Sequence, residues 1–159
     1  MNTSRTLLPF SLVRLVERLP AYPPALAFTL GLNAVVWPAL KEHGISGLAG
    51  RRYCLHVRDL GLRLYFSLGP RGFVAQSPGA ADLTLRAASR DFLALALRRE
   101  DPDTLFFSRR LVTEGDTELG LLVKNTLDAL DLAERLASLP LPGLKQMLAR
   151  LAGNNTAMR

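Results

Sequence analysis

Two side chains able to act as nucleophile and base, Cys54 and His56, stand two residues apart in a stretch that alternates apolar with polar residues. On a strand that spacing puts both on one face, and a thiolate beside an imidazole is one way to activate a cysteine. The face they share is the polar one, with Arg58 next along it. Nothing nearby marks the thiol as reactive, and the pair reads as two surface residues. Glu114, Asp116 and Glu118 gather carboxylates, but they straddle the start of a helical stretch. Asp116 fits the cap, and acids are drawn to the positive end of a helix. His43, His56 and the lone Cys54 have no metal-ligand spacing and allow no intrachain disulfide. Gly69-Pro70-Arg71-Gly72 is a turn rather than a phosphate cradle. The reading is of a non-enzyme with no catalytic residues, no metal and no cofactor.

What the chain has in quantity is aliphatic. Hydrophobic residues make up 48% of its 159 residues and aromatics only 7%, so the apolar surface is mostly leucine. That suits a plain core and a greasy ligand equally. The length fits one domain with a core that needs no staples. Net charge is +6, carried by 17 Arg against 3 Lys. Such excess attracts anionic surfaces, acidic phospholipid or nucleic acid. The arginines are scattered in pairs, however, and no stacking platform or reading motif accompanies them. A nucleic-acid role is therefore the weakest alternative, and no nucleic acid is expected as partner.

Several elements must position any site. Ser4 to Leu19 has Leu8, Leu12, Leu15 and Val16 at helical spacing with Arg5, Arg14 and Arg18 among them. A basic amphipathic helix of this kind suits a membrane surface or the domain itself. Leu19 to Leu40 carries no charge, but Pro20, Pro23, Pro24 and Pro38 argue against a membrane span. It reads as a helix from after Pro23-Pro24 to about His43-Gly44, apolar nearly all round. The period then falls to two. Tyr53, Leu55 and Val57 alternate with polar neighbours, as do Leu62, Leu64, Phe66 and Leu68. Phe73 to Gln76 and Asp82 to Ala87 read as two more strands, giving a four-stranded meander. A helix capped by Ser89 follows and ends at Asp101-Pro102-Asp103. Arg110 to Glu114 is a fifth strand, Asp116 caps a further helix, and a last one follows Pro142. The fold class is thus α+β: a five-stranded, mostly antiparallel sheet covered on one face by helices, with an N-terminal helical extension. Residues 1–45 form that extension, 46–152 the domain and 153–159 a tail.

One stretch resembles a known family. Asp101 to Phe107, then Arg110-Leu111-Val112-Thr113-Glu114-Gly115-Asp116, is similar to the strand, Glu-Gly-Asp, helix step of the sterol carrier protein 2 family. The resemblance covers roughly residues 50–132. From Arg99 to Leu132 it is closer to one bacterial branch, accessory factors of oxygen-independent ubiquinone biosynthesis. Many relatives have Gly before the fifth strand, where this chain has Arg109. The resemblance implies a non-catalytic lipid-binding protein holding ubiquinone or a polyprenylated precursor in an apolar pocket. It also implies peptidase U32-type hydroxylases as partners, and a cytoplasmic protein peripheral at the inner membrane. The alternative is a phospholipid-binding adaptor at anionic membranes on the same fold.

Pattern and resemblance together nominate the lining of such a pocket: Phe92, Leu95, Ala96, Phe106, Phe107, Leu119, Leu122, Val123, Leu127, Leu144 and Met147. Leu12, Phe28, Leu32, Val36 and Trp37 are the candidate membrane contacts.

Overall fold

The computed structural model describes residues 22–140 and, beyond them, 142, 143, 146 and 150. The Ser4–Leu19 helix and the tail read from the sequence lie outside the described residues.

Helix α1 (Tyr22–His43) opens on Pro23-Pro24, whose fixed φ suits a first turn. It closes on Gly44 at φ +94°, whose N–H donates to Leu40 O at 3.0 Å. The helix continues past Pro38. The missing donor leaves over a carbonyl at Ala34, an exposed position where water can serve it. By length and composition α1 could cross a bilayer. In the fold, Ala25, Thr29, Val35, Ala39 and Leu40 are buried against the rest of the protein.

Strands β1 (Arg52–Val57) and β2 (Leu62–Gly69) form the expected antiparallel pair. Between them Arg58–Leu60 makes a single 3₁₀ turn that Gly61 closes at φ +59°. β3 (Gly72–Ala75) pairs with β2, also antiparallel. The meander ends there. β4 (Leu83–Ala87) lies beside β1, parallel to it, and the sheet order is β3-β2-β1-β4-β5. The chain leaving β3 recrosses the sheet end and is fastened at Asp82. Asp82 N donates to Arg52 O, and Arg52 N donates to the Asp82 carboxylate at 2.7 Å. Alternation had indicated which side chains share a face; it carries no information about which strand is the neighbour.

Helix α2 (Ser89–Ala96) is capped by Ala88, not Ser89. Ser89 is instead the first helical residue, and its N–H and hydroxyl both donate to the Asp59 carboxylate. The Asp101-Pro102-Asp103 break begins a helix as well as ending one. In α3 (Pro102–Phe107) the Asp101 side chain accepts from Thr104 N at 2.8 Å and Pro102 takes the first position. β5 (Val112–Gly115) pairs antiparallel with β4. α4 (Thr117–Ala129) is capped by Asp116, as expected, and a short α5 (Leu132–Ser138) follows.

All these helices lie on one side of the sheet, over Tyr53, Leu64, Phe66, Leu83 and their neighbours. Tyr53 stacks on Phe66 at 5.5 Å between ring centres, and Phe28 and Phe73 meet Phe66 edge-on. Asn33, the one polar residue on its stripe of α1, bonds both ways with the Phe73 backbone. Its Nδ2 donates to Phe73 O at 2.8 Å, and its Oδ1 accepts from Phe73 N at 2.7 Å. The amide thereby completes the outer edge of β3. At the other end Arg110 clasps the buried Asp91 of α2 and the Glu100 carboxylate. The fold class is the one the sequence led us to expect.

Candidate functional site

Between the sheet and its helices lies a cavity of about 230 Å³. Its floor is the inward row of the sheet: Tyr53 and Leu55 of β1, Phe66 and Leu68 of β2, Phe73 of β3 and Leu85 of β4. Phe28, Leu32, Val36 and Leu40 of α1 form one wall. Phe92, Leu95 and Ala96 of α2, with Leu111, form another. Val123, Thr126, Leu127 and Leu130 of α4, with Leu132, close the third side. The spacing 28, 32, 36, 40 is one face of α1, and 123, 126, 127, 130 one face of α4.

Many of these side chains point inward yet are only half-buried, Leu55, Leu85, Phe92 and Val123 among them. What they remain open to is the hollow. The few polar groups on the wall are already engaged. Tyr53 donates its hydroxyl to Leu48 O at 2.7 Å, and Thr126 donates to Leu122 O at 2.8 Å. Burial pushes the Tyr53 phenol up to about 12, so it stays neutral. The cavity therefore presents mostly hydrocarbon, and neither hydroxyl has a hydrogen left to donate into it. It can hold an apolar chain by burial alone.

The structure brings together Phe92, Leu95, Ala96, Val123 and Leu127 of the residues nominated for a pocket. It places the others elsewhere. Leu119 is packed in the solid core beside Leu83. Leu122 is 36% exposed, with its Cδ2 over Gly47. Phe106 and Phe107 form an edge-on pair on the outside of α3, Phe107 being 81% exposed. Leu105, next to these two, is buried instead, together with Pro102. Leu144 and Met147 lie outside the described residues. Of the candidate membrane contacts, Phe28, Leu32 and Val36 line the cavity, and Trp37 packs against the core. Leu12 lies outside the described residues. The outward apolar residues of α1 are Leu26 and Leu30.

The strand residues of the floor were not nominated, although the alternation of β1 and β2 already turned them inward. The α1 wall gave no such signal, because a helix apolar all round does not say which side faces the protein. Of the residues with chemistry, Cys54 is buried, 1% exposed, and not the surface residue its polar neighbours suggested, while Asp116 caps α4 and Glu114 pairs with Arg86 at 3.1 Å. His43 Nδ1 lies 2.9 Å from Ala39 O. Among the described residues no three His, Cys, Asp or Glu are grouped to hold a metal.

The SCP-2 sterol transfer family matches residues 32–128. Over 114 residues the chain is 44% identical to the ubiquinone biosynthesis accessory factor UbiT of Escherichia coli K12. That match covers 72% of this chain and 63% of the relative, a little under two thirds of its length. Among solved structures, "UbiJ-SCP2 Ubiquinone synthesis protein" superposes with a TM-score of 0.53 at 22% identity, over 74% of this chain and 97% of that one. Sterol Carrier Protein 2 Like 2 of Aedes aegypti gives 0.51 at 12% identity, over 65% and 96%. At these identities the two structures share the fold.

Proposed function

This chain belongs to the SCP-2 sterol transfer family, and from that premise we propose that it is a non-catalytic carrier which shelters the tail of ubiquinone or a prenylated precursor. The supporting observation is the hydrocarbon-walled hollow between sheet and helices. Each methylene moved from water into such a wall gains about 0.8 kcal/mol. A polyprenyl chain, five carbons per unit, does not wait in water, and a carrier as apolar as the bilayer makes its transfer nearly neutral. The identity to UbiT supports the quinone as cargo. The resemblance of residues 99–132 to that bacterial branch supports oxygen-independent biosynthesis and U32-type hydroxylases as recipients. The excess of arginine supports work at the surface of an anionic inner membrane.

The size of the hollow sharpens the reading. At the roughly 25–30 Å³ that each water-sized group occupies when packed, 230 Å³ takes about eight or nine. That is fewer than two isoprene units, so a long tail is held only in part and the quinone ring stays outside.

The test is to extract the purified protein with organic solvent and identify what comes off by mass spectrometry. A prenylated quinone or precursor is expected. Val123→Trp should fill the hollow and lose that lipid while melting within a few degrees of the wild type. Phospholipid in the extract would make the protein a membrane adaptor instead. Full lipid retention in a folded Val123→Trp would place the cargo elsewhere.

A further inference from the structure

The sheet has a second side. Every described helix packs on the face carrying Tyr53, Leu64 and Phe66. On the opposite face, among the described residues, no helix lies. Register places Arg63 of β2 and Arg86 of β4 directly on either side of His56 of β1. With strands about 4.8 Å apart, the three form a row about 10 Å long.

Like charges set opposite one another on a sheet destabilise it. The carboxylate facing this row is Glu114, 3.1 Å from Arg86. Arg58 and Arg63 are exposed, and neither is in an ion pair among the described residues. His56 is held below its ordinary value by burial and by the guanidinium groups of Arg63 and Arg86, with Arg58 adding and Glu114 opposing. The field there is net positive. Alongside runs a second row of Tyr65, Cys54 and Thr84, which offers no protruding aliphatic side chain.

We propose that this outer face is a docking site for an acidic protein surface, with Arg58 and Arg63 supplying cations left unmatched among the described residues. Two observations favour a protein over a bilayer. Its exposed apolar side chains, Val74 of β3 and Leu60 of the β1–β2 turn, stand singly at opposite ends of the strands and make no patch for insertion between lipids. It also lies across the sheet from the cavity, so a partner held here leaves the helices and the cavity free. Guanidinium groups carried by a strand and by the turn beside it suit carboxylates fixed on a partner, where planar paired bonds form. The proposal does not depend on what fills the cavity.

The experiment uses the full chain and a labelled glutamate-rich peptide, with binding followed by fluorescence anisotropy at about 0.15 M salt. Arg58→Glu/Arg63→Glu should weaken binding at least about tenfold. Arg71→Glu removes the same kind of charge from the β2–β3 turn, and it should leave affinity within about twofold, since β2 carries the chain about 20 Å from Arg63 to that turn, beyond the Debye length of about 8 Å at this salt. Equal losses in the two variants would mean unspecific attraction and would overturn the proposal. So would peptide binding untouched by either. Sedimentation with phosphatidylglycerol vesicles and binding to poly(U) RNA supply the remaining outcomes. If the double reversal abolishes one of these and spares the peptide, the face belongs to membrane or nucleic acid and the proposal fails. Circular dichroism melts of the variants confirm that the fold survives.

Discussion

Arg109 shows how one residue can record a conflict. It sits just past α3 with φ +59°, a left-handed conformation that suits glycine and that an L side chain adopts at a cost. The turn itself is satisfied: Arg110 N donates to Leu105 O and Arg109 N to Phe106 O. Arg98 has the same conformation past α2, at φ 52°, but its guanidinium binds Asp128 O and Leu130 O and so ties α2 to the end of α4. Arg109 has no such partner among the described hydrogen bonds and ion pairs. Arg109→Gly is therefore expected to raise stability by about 1 kcal/mol, read as a higher midpoint in urea. A fall would mean that the arginine makes a contact worth more than its strain. At Gly115 the conflict is resolved in favour of glycine. At φ +112° a Cβ would meet Asp82 O at 2.3 Å, so no side chain fits between Glu114 and the cap Asp116.

At the scale of elements, the Glu-Gly-Asp step gathers three separate tasks. Glu114 balances Arg86, Gly115 lets β5 close on Asp82, and Asp116 starts α4 by accepting from Leu119 N at 3.0 Å. Asp116 N also donates to Asp82 O, which fixes where the helix begins on the sheet. Asp116→Ala should cost about 1 kcal/mol, seen in the urea midpoint. Hydrogen exchange should quicken at Leu119 before it does in the strands, and protection unchanged at Leu119 would remove the cap from the account. The elements that could be read in the sequence were those with a period to count. β1 and β2 alternate over enough residues to fix both their type and their inward face. α3 has six residues, too few for a helical period, and its Pro102 reads equally well as a stop or as a first position. Phe106 and Phe107 then looked like core because nothing showed that Leu105 was the inward one. α1 was found from its ends, Pro23-Pro24 and Gly44, but its orientation was hidden by its uniformity.

For the whole molecule, the hollow sets how stability responds to conditions. Tyr53 closes part of the floor with its hydroxyl committed to Leu48 O, and its pKa is raised from 10.0 to about 12 by burial, with Arg51 opposing. A raised folded pKa means that the stability it carries is full below pH 10 and drains as the pH climbs toward 12. Alkaline unfolding should therefore begin in that window. Tyrosinate absorbance should show one of the three tyrosines ionising only as the far-ultraviolet signal collapses. A Tyr53 that ionised early in a folded protein would contradict the burial described. Pro38, Asn33 and the uncharged run of α1 make sense at this scale too, since the helix serves the sheet on one side and meets the surroundings with Leu26 and Leu30 on the other.

An unfinished strand is an invitation to polymerise, because any second copy can continue the ladder. By putting a carboxamide where the next backbone would go, Asn33 withdraws that invitation at β3. A second copy meeting that margin finds the Phe73 donor and acceptor already taken, which discourages fibril growth from it.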